Sequence, residues 1–130
     1  MTTIAAATLY AGLFGLLMLI LKMNVGRVRT AHKVAFGDGN NEAVQRAIRV
    51  QGNAVEDVPV VLIGLFGLAF LDAPVLLIHG LGASFLLGRV LHAVGLGGSS
   101  GASFGRLYGT LLSILTQLIT AGACLWFALT

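Results

Sequence analysis

The sequence predicts an all-α fold, a four-helix bundle embedded in a membrane, and three observations carry that prediction. The 130 residues are 57% hydrophobic. Only 10% are charged, against roughly 25% in soluble globular domains. The apolar residues also fall into four stretches, and a spanning helix needs about 20 of them to cross a hydrocarbon core about 30 Å thick. A chain this short, divided four times, has no room for a soluble domain, so a single domain of residues 1 to 130 is expected.

The first span runs over about residues 3 to 23 and meets no charge before Lys22. No cation precedes it and no small-residue cleavage site follows, so it is expected to stay attached rather than act as a signal peptide. The second span, about 47 to 71, contains the apolar run VPVVLIGLFGLAFL. That run alone is too short to cross, so the polar residues before it must enter the membrane. The third span, about 74 to 95, follows Asp72-Ala73-Pro74, where proline's missing N–H costs little at a helix start. The fourth covers about 104 to 129. Glycines in GLFGLAF and HGLGASFLLG allow close helix approach. The run GLGGSSGAS, residues 95 to 103, reads as a flexible connection that adds only hydroxyls. Cys124 is the only cysteine, which excludes an intrachain disulfide, and no metal-ligand pattern is present.

Charge predicts the orientation. Lys22, Arg27, Arg29, Lys33, Arg46 and Arg49 surround the first connection, and Arg89 and Arg106 flank the third. All eight cations thus lie on one side, which the positive-inside rule assigns to the cytoplasm, leaving both termini outside. Topology and anionic headgroups account for the net charge of +3, and no basic surface interleaved with aromatic residues remains for nucleic acid.

The second span opens with RAIRVQGNAVEDVP. At about 100° per residue, Arg46, Arg49, Asn53, Glu56 and Asp57 share roughly a third of the helix circumference. This polar stripe enters the membrane, where a carboxylate facing lipid is costly. Glu56 is therefore expected among guanidinium groups, facing protein, water or a partner charge. Pro59 removes a hydrogen bond to the Val55 carbonyl and adds a polar niche. Arg89 and His92, one turn apart on the third span, and Arg106 at the start of the fourth are expected to complete a pocket. A purely structural role is the alternative, with these charges pairing across helices to hold the bundle. His79 is expected to make a helix-to-helix hydrogen bond.

The spacing Arg46-x-x-Arg49-x-Gln51-x-Asn53-x-x-Glu56-x-x-Pro59 resembles the second-helix motif of the MAPEG family, the membrane-associated proteins in eicosanoid and glutathione metabolism. The third helix, ending Gly88-Arg89-Val90-Leu91-His92-Ala93-Val94-Gly95, and a fourth helix opening with Arg106 extend the resemblance over the whole chain. It implies a bacterial-type member in the inner membrane: a homotrimer of four-helix bundles, with glutathione as co-substrate at the subunit interfaces near the cytoplasmic face. Arg46, Arg49, Gln51, Asn53, Glu56, Arg89 and His92 would hold the tripeptide, together with one of Arg27 and Arg29. The chemistry suits the residue types, because glutathione carries two carboxylates for arginines and one ammonium for an acid. Arg106 matches the arginine that stabilises the thiolate in the family's conjugating enzymes. The eukaryotic enzymes carry tyrosine after the motif glutamate and two tyrosines on the third helix. Here those positions hold Asp57, His92 and Leu96.

Three functions are therefore in view. The first is a glutathione-dependent transferase or peroxidase acting on hydrophobic electrophiles or lipid hydroperoxides that enter from the bilayer. The second is a non-catalytic lipid- or glutathione-binding scaffold, and the third a small multidrug exporter with an essential membrane glutamate. No metal is expected.

Overall fold

The computed structural model describes residues 1–130 as four helices: α1 Thr3–Ala31, α2 Glu42–Phe70, α3 Val75–Gly98 and α4 Phe104–Leu129. Each is long and apolar enough to cross a membrane. Helix ends are set by capping, whereas spans are set by bilayer thickness, so α1 and α2 overrun their expected spans on the basic side. At about 1.5 Å per residue, α1 is about 43 Å long and projects beyond the hydrocarbon. It stops where Lys33 takes a left-handed conformation, φ 56°, and Val34 N–H bonds back to the Arg29 carbonyl. Asn41 starts α2 by accepting the Val44 N–H on its side chain, and Ser103 does the same for α4 with Arg106 N–H. These caps satisfy backbone donors that the first helical turn leaves free. At the opposite end Pro74 stands one position ahead of α3, and its fixed φ shapes the turn.

α1 packs on α2 and α3, α4 packs on α3 and α2, and α1 and α4 do not touch. One flank of the bundle is therefore open, and α4 presents Leu111, Ile114, Leu115, Leu118 and Leu125 outward. The apolar core runs along the bundle, from Leu68 and Ala73 at one end to Val50 and Leu96 at the other. Phe14 and Phe85 meet edge to face at 5.5 Å, in a geometry that suits the ring quadrupoles. Leu65, Leu68 and Ile78 are fully enclosed around them. The Tyr10 hydroxyl hydrogen-bonds His79, at 3.1 Å to Nδ1 and 3.1 Å to the carbonyl, so His79 links α3 to α1 across the helix interface. Thr3 Oγ1 donates to the Ala69 carbonyl at 3.1 Å and ties α1 to the end of α2.

The α3–α4 seam is built differently, with backbones in contact. A Cβ on Gly88 would lie 2.7 Å from Ser113 Oγ, and one on Gly109 would lie 2.7 Å from the Gly88 carbonyl oxygen. Neither position has space for a side chain. In lipid, where helices gain little from burying apolar surface, such close approach recovers packing energy between small residues. It also fixes the register between Arg89 and His92 on one helix and Arg106 and Ser113 on the other.

Candidate functional site

On α4, Tyr108 and Trp126 are exposed and 18 residues apart, about 27 Å along the helix. Aromatic residues with a polar handle favour the two membrane interfaces, and this spacing fits the hydrocarbon thickness. Arg106 then lies at headgroup level. Ser113 lies about 7 Å inside the apolar region.

Arg89 is the best-held cation of the molecule at 4% exposure. Its Nε donates to Ser113 Oγ at 3.1 Å. Its Nη1 donates to Asp57 Oδ2 at 2.7 Å and to the Asn53 carbonyl at 3.3 Å. The Phe85 ring lies beneath, 5.8 Å from the guanidinium carbon. Ser113 Oγ in turn donates to the Gly109 carbonyl at 2.7 Å. One arginine thus joins α2, α3 and α4 at a depth where an unpaired charge would be expensive.

Asn53 faces both ways. Its Oδ1 accepts from Arg49 Nη2 at 2.7 Å, and its Nδ2 lies 3.3 Å from His92 Nε2. Because the arginine fixes the amide oxygen, the amide nitrogen must face the ring, and His92 Nε2 is the acceptor with its proton on Nδ1. Asn53, Asp57, Arg89, His92 and Arg106 line a cavity of about 600 Å³. Its remaining wall includes Leu107 and Ile114 of α4, so a polar floor meets an apolar side.

The connection between α3 and α4 is tied down, contrary to the flexible reading of GLGGSSGAS. α3 continues to Gly98. Ser100 Oγ accepts from Arg46 Nη1 at 3.2 Å and donates to Glu42 Oε1. Arg46 also pairs with Glu42 at 3.1 Å. Arg106 Nη1 donates to the Ser100 and Gly101 carbonyls at 2.9 and 3.4 Å. The reason is local: two arginines flank a short loop whose carbonyls have no helical partner.

Glu56 is not among guanidinium groups inside the chain. Its side chain is 64% exposed, and its one cation is Arg49, at 3.8 Å and itself 61% exposed. Asp57 is the acid that turns inward. Ala54 is buried on the core side of α2. Glu56 is two residues from Ala54 and so about 160° away around the helix, whereas Asp57, three residues on, is about 60° away. Gln51 lies half-buried about two and a half turns into α2 and is not part of the cavity wall. Arg27 is occupied by Asn24, at 2.8 and 3.3 Å. Arg29 lines a separate cleft of about 500 Å³ with Lys33 and Thr30, and its enclosed Nε has no partner. Asp57 as counter-ion, Ser113 as anchor and Ser100 as tether are absent from the sequence expectation. The small-residue spacing Gly105-x-x-x-Gly109-x-x-x-Ser113 was the available signal for the second of these.

A model of the MAPEG family matches residues 7–126. The chain belongs to the MAPEG family. Two relatives are similar over part of the sequence, the inner membrane protein YecN of Escherichia coli strain K12 and that of strain O6:H1. Each is 42% identical over 57 residues, which cover 44% of this chain and 44% of the relative. Family membership and four apolar helices together make this an integral membrane protein of the glutathione and eicosanoid group. Asp57 is bound to Arg89, and Leu96 is only 7% exposed within the apolar core.

Proposed function

We propose that the protein binds reduced glutathione near the cytoplasmic face and joins its thiol to a hydrophobic electrophile, or uses it to reduce a lipid hydroperoxide. The observation that carries this reading is the cavity shared by Arg89, Arg106, His92 and Asn53, whose other wall includes the apolar side chains of Leu107 and Ile114. A charged thiol ligand and a lipophilic second substrate need those two surfaces side by side. Arg106 is the thiolate-stabilising group: a guanidinium lowers the pKa of a nearby thiol, and the thiolate is the nucleophile. In the transfer, thiolate sulfur attacks the electrophilic carbon and the leaving group departs with the bonding electrons. In the reduction, it attacks the terminal peroxide oxygen, forming glutathione sulfenic acid as the O–O bond breaks; the alkoxide takes a proton and leaves as the alcohol, and a second glutathione displaces the sulfenic oxygen as water to form the disulfide.

The assembly in this reading is a homotrimer in a bacterial inner membrane, with both termini outside. Two features support the assembly. Arg49 and Glu56 form an exposed pair on α2 at a depth where lipid is a poor neighbour for charge. The cleft of Arg29 shares no wall residue with the main cavity, which fits a ligand that bridges two subunits. Between Arg27 and Arg29, the unpartnered Nε favours Arg29 for that contact. The relatives' printed name supports the inner-membrane location.

The test is conjugation of an aryl halide by purified protein, with loss of turnover in Arg106→Ala. Normal turnover in that variant removes Arg106 from the mechanism. A second reading, a binding protein without turnover, is favoured by the engagement of Arg106 with the Ser100 and Gly101 carbonyls. Saturable glutathione binding without thiolate absorbance supports it.

A further inference from the structure

Arg89 and Asp57 leave over a matched pair of groups in the cavity. A guanidinium has five N–H groups. Three of them are used: Nε on Ser113, and Nη1 on Asp57 and on the Asn53 carbonyl. The two N–H groups of Nη2 make no hydrogen bond within the protein. Asp57 uses Oδ2 for the ion pair and leaves Oδ1 free. Both residues line the cavity, and Ser113, the Asn53 carbonyl and the Phe85 ring hold Arg89 in place before any ligand arrives. The site therefore offers a fixed donor edge next to a fixed acceptor.

We infer that the Arg89–Asp57 pair recognises a free α-amino-acid headgroup, Arg89 Nη2 taking the carboxylate and Asp57 Oδ1 the ammonium. The inference rests on the glutathione reading above and orients the tripeptide within it: the γ-glutamyl end lies between α2 and α3, and the thiol points to Arg106 on α4. Charge agrees, since two arginines against one aspartate leave the cavity a single positive excess and glutathione is a net monoanion. It also gives Asp57 a part that the outward-facing Glu56 does not fill within one chain. A ligand with a carboxylate but no ammonium would meet Asp57 as an unanswered negative charge. The site therefore selects the α-amino acid over its des-amino counterpart, by binding the ammonium and by repelling what lacks it.

The experiment compares equilibrium binding of reduced glutathione with that of its des-amino analogue, in which a glutaryl group replaces γ-glutamyl, using the full chain in lipid nanodiscs. Wild type is expected to bind glutathione about tenfold more tightly or better, the scale of one charge-assisted hydrogen bond. Asp57→Asn keeps an oxygen for Arg89 but loses the charge, and its preference is expected to vanish while the des-amino form binds at least as well as before. Equal binding of the two ligands by wild type overturns the inference and leaves the glutathione reading standing. An undiminished preference in Asp57→Asn overturns it as well. Binding of neither ligand by wild type overturns both. If Asp57→Asn does not fold, the wild-type ligand pair still decides.

Discussion

The two seams of the bundle are held by opposite means. Between α1 and α3, side chains fill the seam: Tyr10, Phe14 and Phe85 interlock, the Tyr10 ring lies on Gly82, and the Tyr10 hydroxyl bonds His79. Between α3 and α4, backbone meets backbone at Gly88 and Gly109, and the side chains that remain are Arg89, His92, Ser113 and Arg106. Aromatic packing tolerates small adjustments, because neighbouring rotamers can shift. A glycine seam cannot adjust, and that rigidity suits a place where a guanidinium must be presented at fixed geometry. The charged groups gather at the seam that cannot give, and the soft seam supports the outer half.

This contrast can be broken in graded steps. Asp57→Ala should have the largest effect, about 3 kcal/mol or more, because it leaves Arg89 buried without its counter-ion; thermal unfolding in detergent measures it, and Asp57→Asn should recover part of the loss. Gly109→Ala comes next at about 1–3 kcal/mol, since the new methyl meets the Gly88 carbonyl and the His92 backbone. The same variant should weaken glutathione binding, because it shifts Arg89 relative to Arg106. Phe14→Leu on the soft seam should cost about 1 kcal/mol and leave glutathione affinity unchanged. Gly67→Ala, with nothing within 4 Å of the new atom, should stay within about 0.5 kcal/mol of wild type. A loss of glutathione affinity in Phe14→Leu as large as that in Gly109→Ala would remove the distinction between the seams.

Much of the fold was readable because hydrophobic length has a fixed meaning in a bilayer. Three apolar stretches about as long as the hydrocarbon thickness, and a fourth that reaches it once the polar residues before it are included, read as four spans, and four helices of that length are found. The polar stripe on α2 was readable too, since spacing alone puts Arg46, Arg49, Asn53, Glu56 and Asp57 on one third of the helix. What spacing could not give was which edge of the stripe points inward. Glu56 and Asp57 lie at its two edges, and the core-facing and lipid-facing sides of a membrane helix are both apolar, so neither marks the interior. The family motif drew attention to Glu56, while inside the chain the inward acid is Asp57. The ends of α1 and α3 escaped for a related reason: Arg27, Arg29, Gly97 and Gly98 lie beyond the hydrocarbon, where caps and not hydropathy decide where a helix stops. Ser100 could not be foreseen as a tether, because its partners Glu42 and Arg46 are more than fifty residues away.

The reading as a whole turns on whether the anchored arginine meets an anionic thiol ligand, and calorimetric titration of reduced glutathione into the full chain in nanodiscs measures that directly. Saturable heat in wild type, abolished by Arg89→Gln in a variant that still carries four helices by circular dichroism, is the expected result. No heat up to millimolar glutathione, or an undiminished isotherm in Arg89→Gln, would contradict the account.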